Sequence, residues 1–436
     1  MTSELAILGG APEIAEPLPV YRSIGARETA AVAEVMESGC LSGFFGSPGP
    51  EFYGGPRVQA LEAAWRDTYG VAHAISVNSN TSGLVAAMGA IGLSPGDEVI
   101  MPPYSMSATA MAPLFYGGIP VFADIEPITF GLDPDRVREA ITPRTKAILV
   151  VNLFGHPARL GELRRIADER GIHLVEDNAQ APFARENNRL AGTVGDIGVF
   201  SLNYHKHIHS GEGGVCVTND DNLAERMALI RNHGENLVEA LDIADASNLL
   251  GLNLRMTELS AAVAIVQLED VEHHLAARER ACEALSAAVA PLDGLTPPAV
   301  RDGCRHNYYC WALHYDGDAL GVPRDLFSEA LNAEGFPNRA GYLPPLYTLP
   351  AFTRRQAIGR DGFPFTLTDR SYGPGLCPVV EEIEDRRMIL FPPCPYDLSP
   401  EVMDALVRAI GKVHAAIPAL QKLEAKRGRA RARTAG

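Results

Sequence analysis

The sequence contains no Cys-x-x-Cys pair. Its seven cysteines stand apart at positions 40, 216, 282, 304, 310, 377 and 394. An odd, scattered set excludes a zinc ribbon and a disulfide framework, and it fits a reducing cytoplasm. No apolar run approaches the roughly 20 residues that cross a bilayer. The opening MTSELAILGGAPEIAEP lacks a basic stretch followed by an apolar one, so no signal peptide is expected. Positive charge is also scarce: 38 Lys and Arg against 54 Asp and Glu leave a net charge of −16. Such a surface does not draw nucleic acid or anionic lipid, and neither is expected as a partner. The exception is the tail, 418–436, which carries KLEAKRGRARAR and is expected to be disordered after a last helix. With 46% hydrophobic and 21% charged residues over 436 positions, the chain is expected to be soluble and globular, with a large domain and a smaller one.

Residues 1–56 read as an irregular N-terminal arm ending in a loop. Its last part, 39–56, is rich in Gly and Pro with interleaved aromatics. From 57 to 255 the pattern alternates. Helix-like stretches (58–69, 82–91, 134–140, 160–169, 222–232) separate apolar runs at 74–77, 98–101, 120–123, 147–151, 173–176, 197–201 and 214–218. Short apolar runs between helices predict buried, largely parallel strands, here seven in one α/β layer. Residues 256–299 hold a long connecting helix whose apolar positions lie on more than one side, which points to a partner as well as a core. Residues 300–417 predict a small α+β domain, with a strand over 307–315 and helices over 324–334 and 400–417.

Polar clusters close several of these strands, where open α/β sheets bind ligands. Asn78-Ser79-Asn80-Thr81-Ser82-Gly83 follows the first strand and opens a helix, which makes it an anion cup or an N-cap. Glu176-Asp177-Asn178-Ala179-Gln180 ends a buried strand with acids that must be paired or functional. Ile197–Ser201 leads to Asn203, Tyr204, His205 and Lys206, then to Gly211-Glu212-Gly213-Gly214. His205, His207 and His209 would share one face of a strand, but no partner pattern accompanies them and no metal is expected. Combined, the clusters offer three parts. They are a phosphate cup, an acid able to hold a pyridine nitrogen protonated, and a lysine able to bond covalently to an aldehyde.

Those motifs resemble the DegT/DnrJ/StrS family of sugar aminotransferases. So do Gly96-Asp97-Glu98-Val99, Arg231-Asn232-His233-Gly234 and Gly251-Leu252-Asn253-Leu254-Arg255. The resemblance spans roughly 25–415. It implies the aspartate-aminotransferase fold (fold type I), pyridoxal 5'-phosphate as cofactor, and a homodimer with shared active sites. Lys206 falls on the lysine that carries the cofactor and serves as catalytic acid and base, and Asp177 on the acid facing the pyridine nitrogen. Gln180 falls on the contact to the ring hydroxyl, and Thr81, Ser82 and Ser201 on phosphate contacts. Asn80 replaces the family's usual Gly, Asn203 flanks the lysine, and both count as cofactor contacts. Met106 stands where an aromatic normally stacks on the ring, with Tyr104 as the stand-in. Asn253 and Arg255 fall where the partner subunit reaches the phosphate. The implied reaction moves an amino group from glutamate or glutamine to a nucleotide-linked keto-sugar or a cyclitol ketone. A dehydratase or lyase of the same fold and a non-catalytic regulatory homologue are the rivals. The segments 39–56 and 337–396 are expected to shape the choice of acceptor.

Overall fold

A computed structural model describes residues 4–434. Residues 1–3 of the arm and 435–436 of the tail lie outside it. All seven apolar runs become strands of one sheet. They are β1 (His73–Val77), β2 (Glu98–Met101), β3 (Ile119–Phe122), β4 (Thr145–Val151) and β5 (His173–Asp177). After a small hairpin, β6 (Arg185–Glu186) and β7 (Arg189–Leu190), follow β8 (Ile197–Ser201) and β9 (Gly214–Thr218). The order is β1-β9-β8-β5-β4-β2-β3. Only β9 runs antiparallel to its neighbours; every other adjacent pair is parallel. Helices cover both faces, which is why runs such as those of β2 and β3 are buried at every position. The parallel strands bring their carboxyl ends to one edge. There Val77 pairs with Gly214, Ser201 with the same Gly214, and Val151 with Asp177.

Two buried acids hold this layer together. Glu176 accepts the backbone N–H groups of Gly192, Val194 and Gly195 at 2.7–2.8 Å, so one of the costly strand-end acids is structural. Glu98 pairs with Arg144 at 2.8 Å and Arg370 at 3.0 Å, tying β2 to the C-terminal third of the chain.

The long helix runs from Glu258 to Val289, with Thr257 capping it through the Ser260 N–H. Its multi-sided apolar pattern is spent within the chain. Ala261–Leu275 positions pack on the large layer, and Cys282, Leu285 and Val289 pack in a second core. The pattern is therefore no sign of a partner. The second core is built on a sheet of order β10-β12-β14-β13, from β10 (Leu295–Thr296), β12 (Trp311–Tyr315), β13 (Arg339–Ala340) and β14 (Met388–Phe391). A further short strand, β11 (Cys304–Arg305), pairs with β6. Leu5 and Leu18 of the arm are buried in the second core.

Three expectations are corrected. The arm is not irregular throughout: Ala26–Ser38 is a helix, with Glu28 bonding back to the Gly25 N–H and Gly39 closing it at φ 69°. The basic tail is helical over Ile417–Thr434, since Ala, Leu, Gln, Lys, Glu and Arg favour helix and Leu420 is fully buried as an anchor. The strand expected over 307–315 starts only at Trp311, because Asn307 and Tyr309 turn to the lysine loop instead.

Candidate active site

The strand ends enclose a cavity of about 220 Å³. Of the residues singled out in the sequence, Asn80, Thr81, Met106, Asp177, Gln180, Ser201, Asn203 and Lys206 line it. Ser82 does not: its hydroxyl is turned to Asn78 Oδ1 at 2.6 Å and lies 2.9 Å from Ser79 Oγ. Asn253 and Arg255 do not line the cavity of their own chain either, although Leu254 between them accepts the Asn78 N–H at 2.8 Å.

The cup forms where the helix Asn80–Ala90 begins. Ser79 caps it by accepting the Ser82 N–H, and Thr81 is exposed on its first turn. The N-cap and anion-cup readings are thus compatible. The first N–H groups of a helix have no partner within it and favour negative charge. The Gly-Glu-Gly-Gly motif explains the close fit on the other side: a Cβ on Gly214 would lie 2.8 Å from the Asn80 nitrogen.

At the end of β5, Asp177 faces the cavity while Glu176 faces away, as strand alternation requires. Its Oδ1 accepts Asn80 Nδ2 at 3.2 Å and the Ala179 N–H at 3.1 Å, and its Oδ2 accepts Thr109 Oγ1 at 3.1 Å. Burial raises its carboxyl above the ordinary value, against the pull of those donors and of Lys206. Gln180 is held at both ends. Its Oε1 accepts the Phe154 N–H at 2.7 Å and its Nε2 donates to Tyr342 Oη at 3.0 Å. Phe154 sits at φ 58°, a conformation rare for a bulky side chain.

Lys206 lies in a turn, not a strand, so the three alternating histidines do not share a face. His205 is exposed at the cavity, His207 is buried against Asn307 at 3.0 Å, and His209 meets Ser23 at 2.6 Å. Lys206 Nζ donates to Tyr309 Oη at 3.3 Å and lies 4.5 Å from that ring's centre. Burial pushes its amine below the ordinary lysine value, opposed chiefly by Asp177. A lower pKa leaves more of the amine in its free, nucleophilic form.

Four lining residues were not singled out in the sequence: Ser105, Ala108, Tyr309 and Tyr342, the last from the segment 337–396 expected to shape the acceptor site. Tyr309 and Tyr342 come from the second half of the chain, from segments without strand-end or motif context. Tyr104 is no stand-in for a stacking ring. It is fully buried, donates to Glu384 at 2.5 Å and meets Tyr342 edge-on. Met106 does reach the cavity wall and is 59% exposed. The segment 39–56 lines no part of this cavity. Phe44 and Phe52 are buried and Asn232 binds the carbonyls of Phe45 and Phe52, which pins the loop to the Arg231–Gly234 motif.

The residues fit pyridoxal phosphate. A lysine amine, a buried carboxylate and a hydroxyl-lined helix start face one space, and the amide oxygens Asn80 Oδ1 and Asn203 Oδ1 are buried in its wall without a partner.

Comparison with known proteins gives the family. Residues 23–377 match the DegT/DnrJ/EryC1/StrS aminotransferase family. An L-glutamine:2-deoxy-scyllo-inosose aminotransferase of Streptoalloteichus tenebrarius is 36% identical over 83% of this chain and 87% of that protein. GDP-perosamine synthase of Caulobacter vibrioides is 36% identical over 70% of this chain and 83% of its own. Among solved structures, DesI in the presence of its TDP-sugar product superposes with a TM-score of 0.80 at 30% identity, covering 98% of this chain and 100% of that one. The chain belongs to the DegT/DnrJ/EryC1/StrS aminotransferase family, and its fold is that of the fold type I aminotransferases.

Proposed function

We propose that this aminotransferase uses pyridoxal 5'-phosphate to move an amino group from glutamate or glutamine to the ketone of a cyclitol or a nucleotide-linked sugar. One observation carries the reading: a lysine amine with a lowered pKa and a buried, donor-held carboxylate face the same cavity. When bound, the cofactor supplies an aldehyde for the amino group and a ring that withdraws electrons from the carbon losing its proton. Lys206 would hold it covalently, and its freed Nζ would move the proton at the substrate carbon. Asp177 would keep the ring nitrogen protonated, while Gln180, fixed by Phe154 and Tyr342, would meet the ring hydroxyl. Thr81, Ser201 and the helix start would take the phosphate, with Asn80, Asn203 and Met106 completing the wall. All seven cysteines are free thiols, which suits a cytoplasmic enzyme. Among the described residues, no helix is long and apolar enough to cross a membrane.

The matched relatives divide between an inosose acceptor and nucleotide sugars, so the acceptor is the quantity to measure. L-glutamate or L-glutamine added to the holoenzyme should shift its absorbance from the aldehyde to the amine form. Adding a ketone from a panel of inososes and nucleotide-linked keto-sugars should then consume the amine form and restore the aldehyde form. No shift with either donor would sink the reading.

We further propose a homodimer with shared sites. Thr81 and Ser201 are neutral, and among the described residues the cavity lining holds no arginine and only Lys206, which would be bonded to the cofactor's aldehyde, so a phosphate near −2 has no cation of its own there. Arg255 has a buried Nε without a partner, and Leu250 and Tyr204 are 83% and 71% exposed nearby in sequence to Arg255 and Lys206. Arg255 and Asn253 of one subunit would serve the other's cup. Lys206→Ala and Arg255→Ala homodimers, unfolded and refolded together, should regain activity through mixed dimers with one intact site. Mixed dimers without recovery would place Arg255 outside the partner's site.

A further inference from the structure

A second cavity of about 210 Å³ adjoins the first and shares His205 and Lys206 with it. Its polar wall is made of donors and imidazoles, and no carboxylate lines it. Arg278, from the long helix, is the residue that stands out. It is only 7% exposed, and among the described residues it forms no ion pair. Among the described residues its one side-chain hydrogen bond runs from Nη1 to His207 Nδ1 at 2.5 Å, and its guanidinium carbon lies 5.7 Å from the Tyr21 ring centre.

Two nearby acids are committed elsewhere, and Asp397, exposed beyond Tyr21, forms no ion pair with Arg278 among the described residues. Glu28 accepts the Gly25 N–H and Gln267 Nε2, and Asp270 pairs with Arg27. A buried guanidinium without an anion is costly. No nitrogen of Arg278 is both sealed from solvent and unpartnered, so the donors not used on His207 open into the cavity. His207 cannot neutralise it, since an imidazole is neutral or cationic; burial and the Arg278 charge hold it in the neutral, accepting form. A planar fork of free N–H groups matches a carboxylate or a phosphate.

We propose that this cavity is the carboxylate subsite for the amino donor, with Arg278 binding a carboxylate while the donor's amine reaches the Lys206 side. The proposal rests on the aminotransferase reading above. An amino acid must present its amine at the lysine and carries its carboxylate a few bonds away, and Lys206 lines both cavities. A phosphate of a nucleotide-linked acceptor is the competing source of the anion.

The test uses holoenzyme and glutarate, a dicarboxylate with no amine. Phenylglyoxal should label Arg278 in the wild type, and saturating glutarate should block the label. Arg278→Met should weaken glutarate and raise the donor KM by roughly 10- to 100-fold, the loss of a hydrogen bond to a charged partner. Arg278→Lys should fall between. A merely structural role, acting through His207, would lower thermal stability or kcat and leave glutarate binding and donor KM unchanged; that result overturns the subsite. Protection by thymidine diphosphate but not by glutarate overturns it too. If Arg278→Met does not fold, the labelling of wild type decides. Should neither donor convert the wild-type cofactor, the donor reading falls, while glutarate protection still decides whether Arg278 takes a carboxylate.

Discussion

Lys206→Ala is expected to lose turnover by about 10³-fold or more, within the range for removing a positioned acid–base group and with the covalent anchor lost as well. The chain makes the test clean, because it holds only five lysines: 146, 206, 412, 422 and 426. Lys146 lies near the start of β4, away from the strand ends that build the cavity. Lys412 is engaged by Glu334 at 2.7 Å and by the Ala11 carbonyl at 2.8 Å. Lys422 and Lys426 lie on the terminal helix. Lys206 alone faces the cavity, next to Tyr309 and with Asp177 in the same wall. Borohydride reduction of the holoenzyme followed by peptide mapping should mark the peptide with Lys206 and no other. A mark on one of the other four, or retained turnover in Lys206→Ala, would overturn the assignment.

Much of this site could be read from the sequence because its parts are local. Each of the seven strands is a run of four to seven residues, and the chemistry follows directly: Asn80 and Thr81 after β1, Asp177 at the end of β5, Ser201 at the end of β8. A short buried strand has one composition and one place for its polar end. Tyr309 and Tyr342 could not be found that way. Each reaches the cavity only because the second core docks against the first, and no spacing in the sequence records that docking. The long helix misled for the same reason. Its two apolar sides serve two cores of one chain, a division that periodicity cannot tell from a partner surface. The terminal helix was hidden by its charge. Arg and Lys favour helix as well as solvent, and the burial of Leu420 fixes where it starts. Ser82 fits the motif by position, yet the capping geometry of Ser79 and Asn78 takes its hydroxyl.

Asp177→Asn is expected to keep cofactor bound through Lys206 and the helix start but to lower kcat on the order of 10²- to 10³-fold, the scale for removing one preorganised electrostatic partner. Asp177 and Glu176 are adjacent buried acids with opposite surroundings. Glu176 spends its oxygens on three backbone N–H groups of one loop, leaving nothing for a ligand. Asp177 has one oxygen on Asn80 and Ala179 and the other on Thr109, in a wall that also holds Lys206. Those donors favour the ionised form while burial opposes it, and a positive ring nitrogen would tip the balance toward the carboxylate. An amide cannot accept a proton's charge in this way. Its NH2 would also meet either Thr109 or the Asn80 and Ala179 donors, so part of the local hydrogen bonding is lost with the charge. The check is an absorbance spectrum that still shows bound cofactor beside a collapsed kcat. Near-wild-type turnover in Asp177→Asn would mean that another group holds the ring nitrogen and that the carboxylate serves only the Asn80, Ala179 and Thr109 contacts.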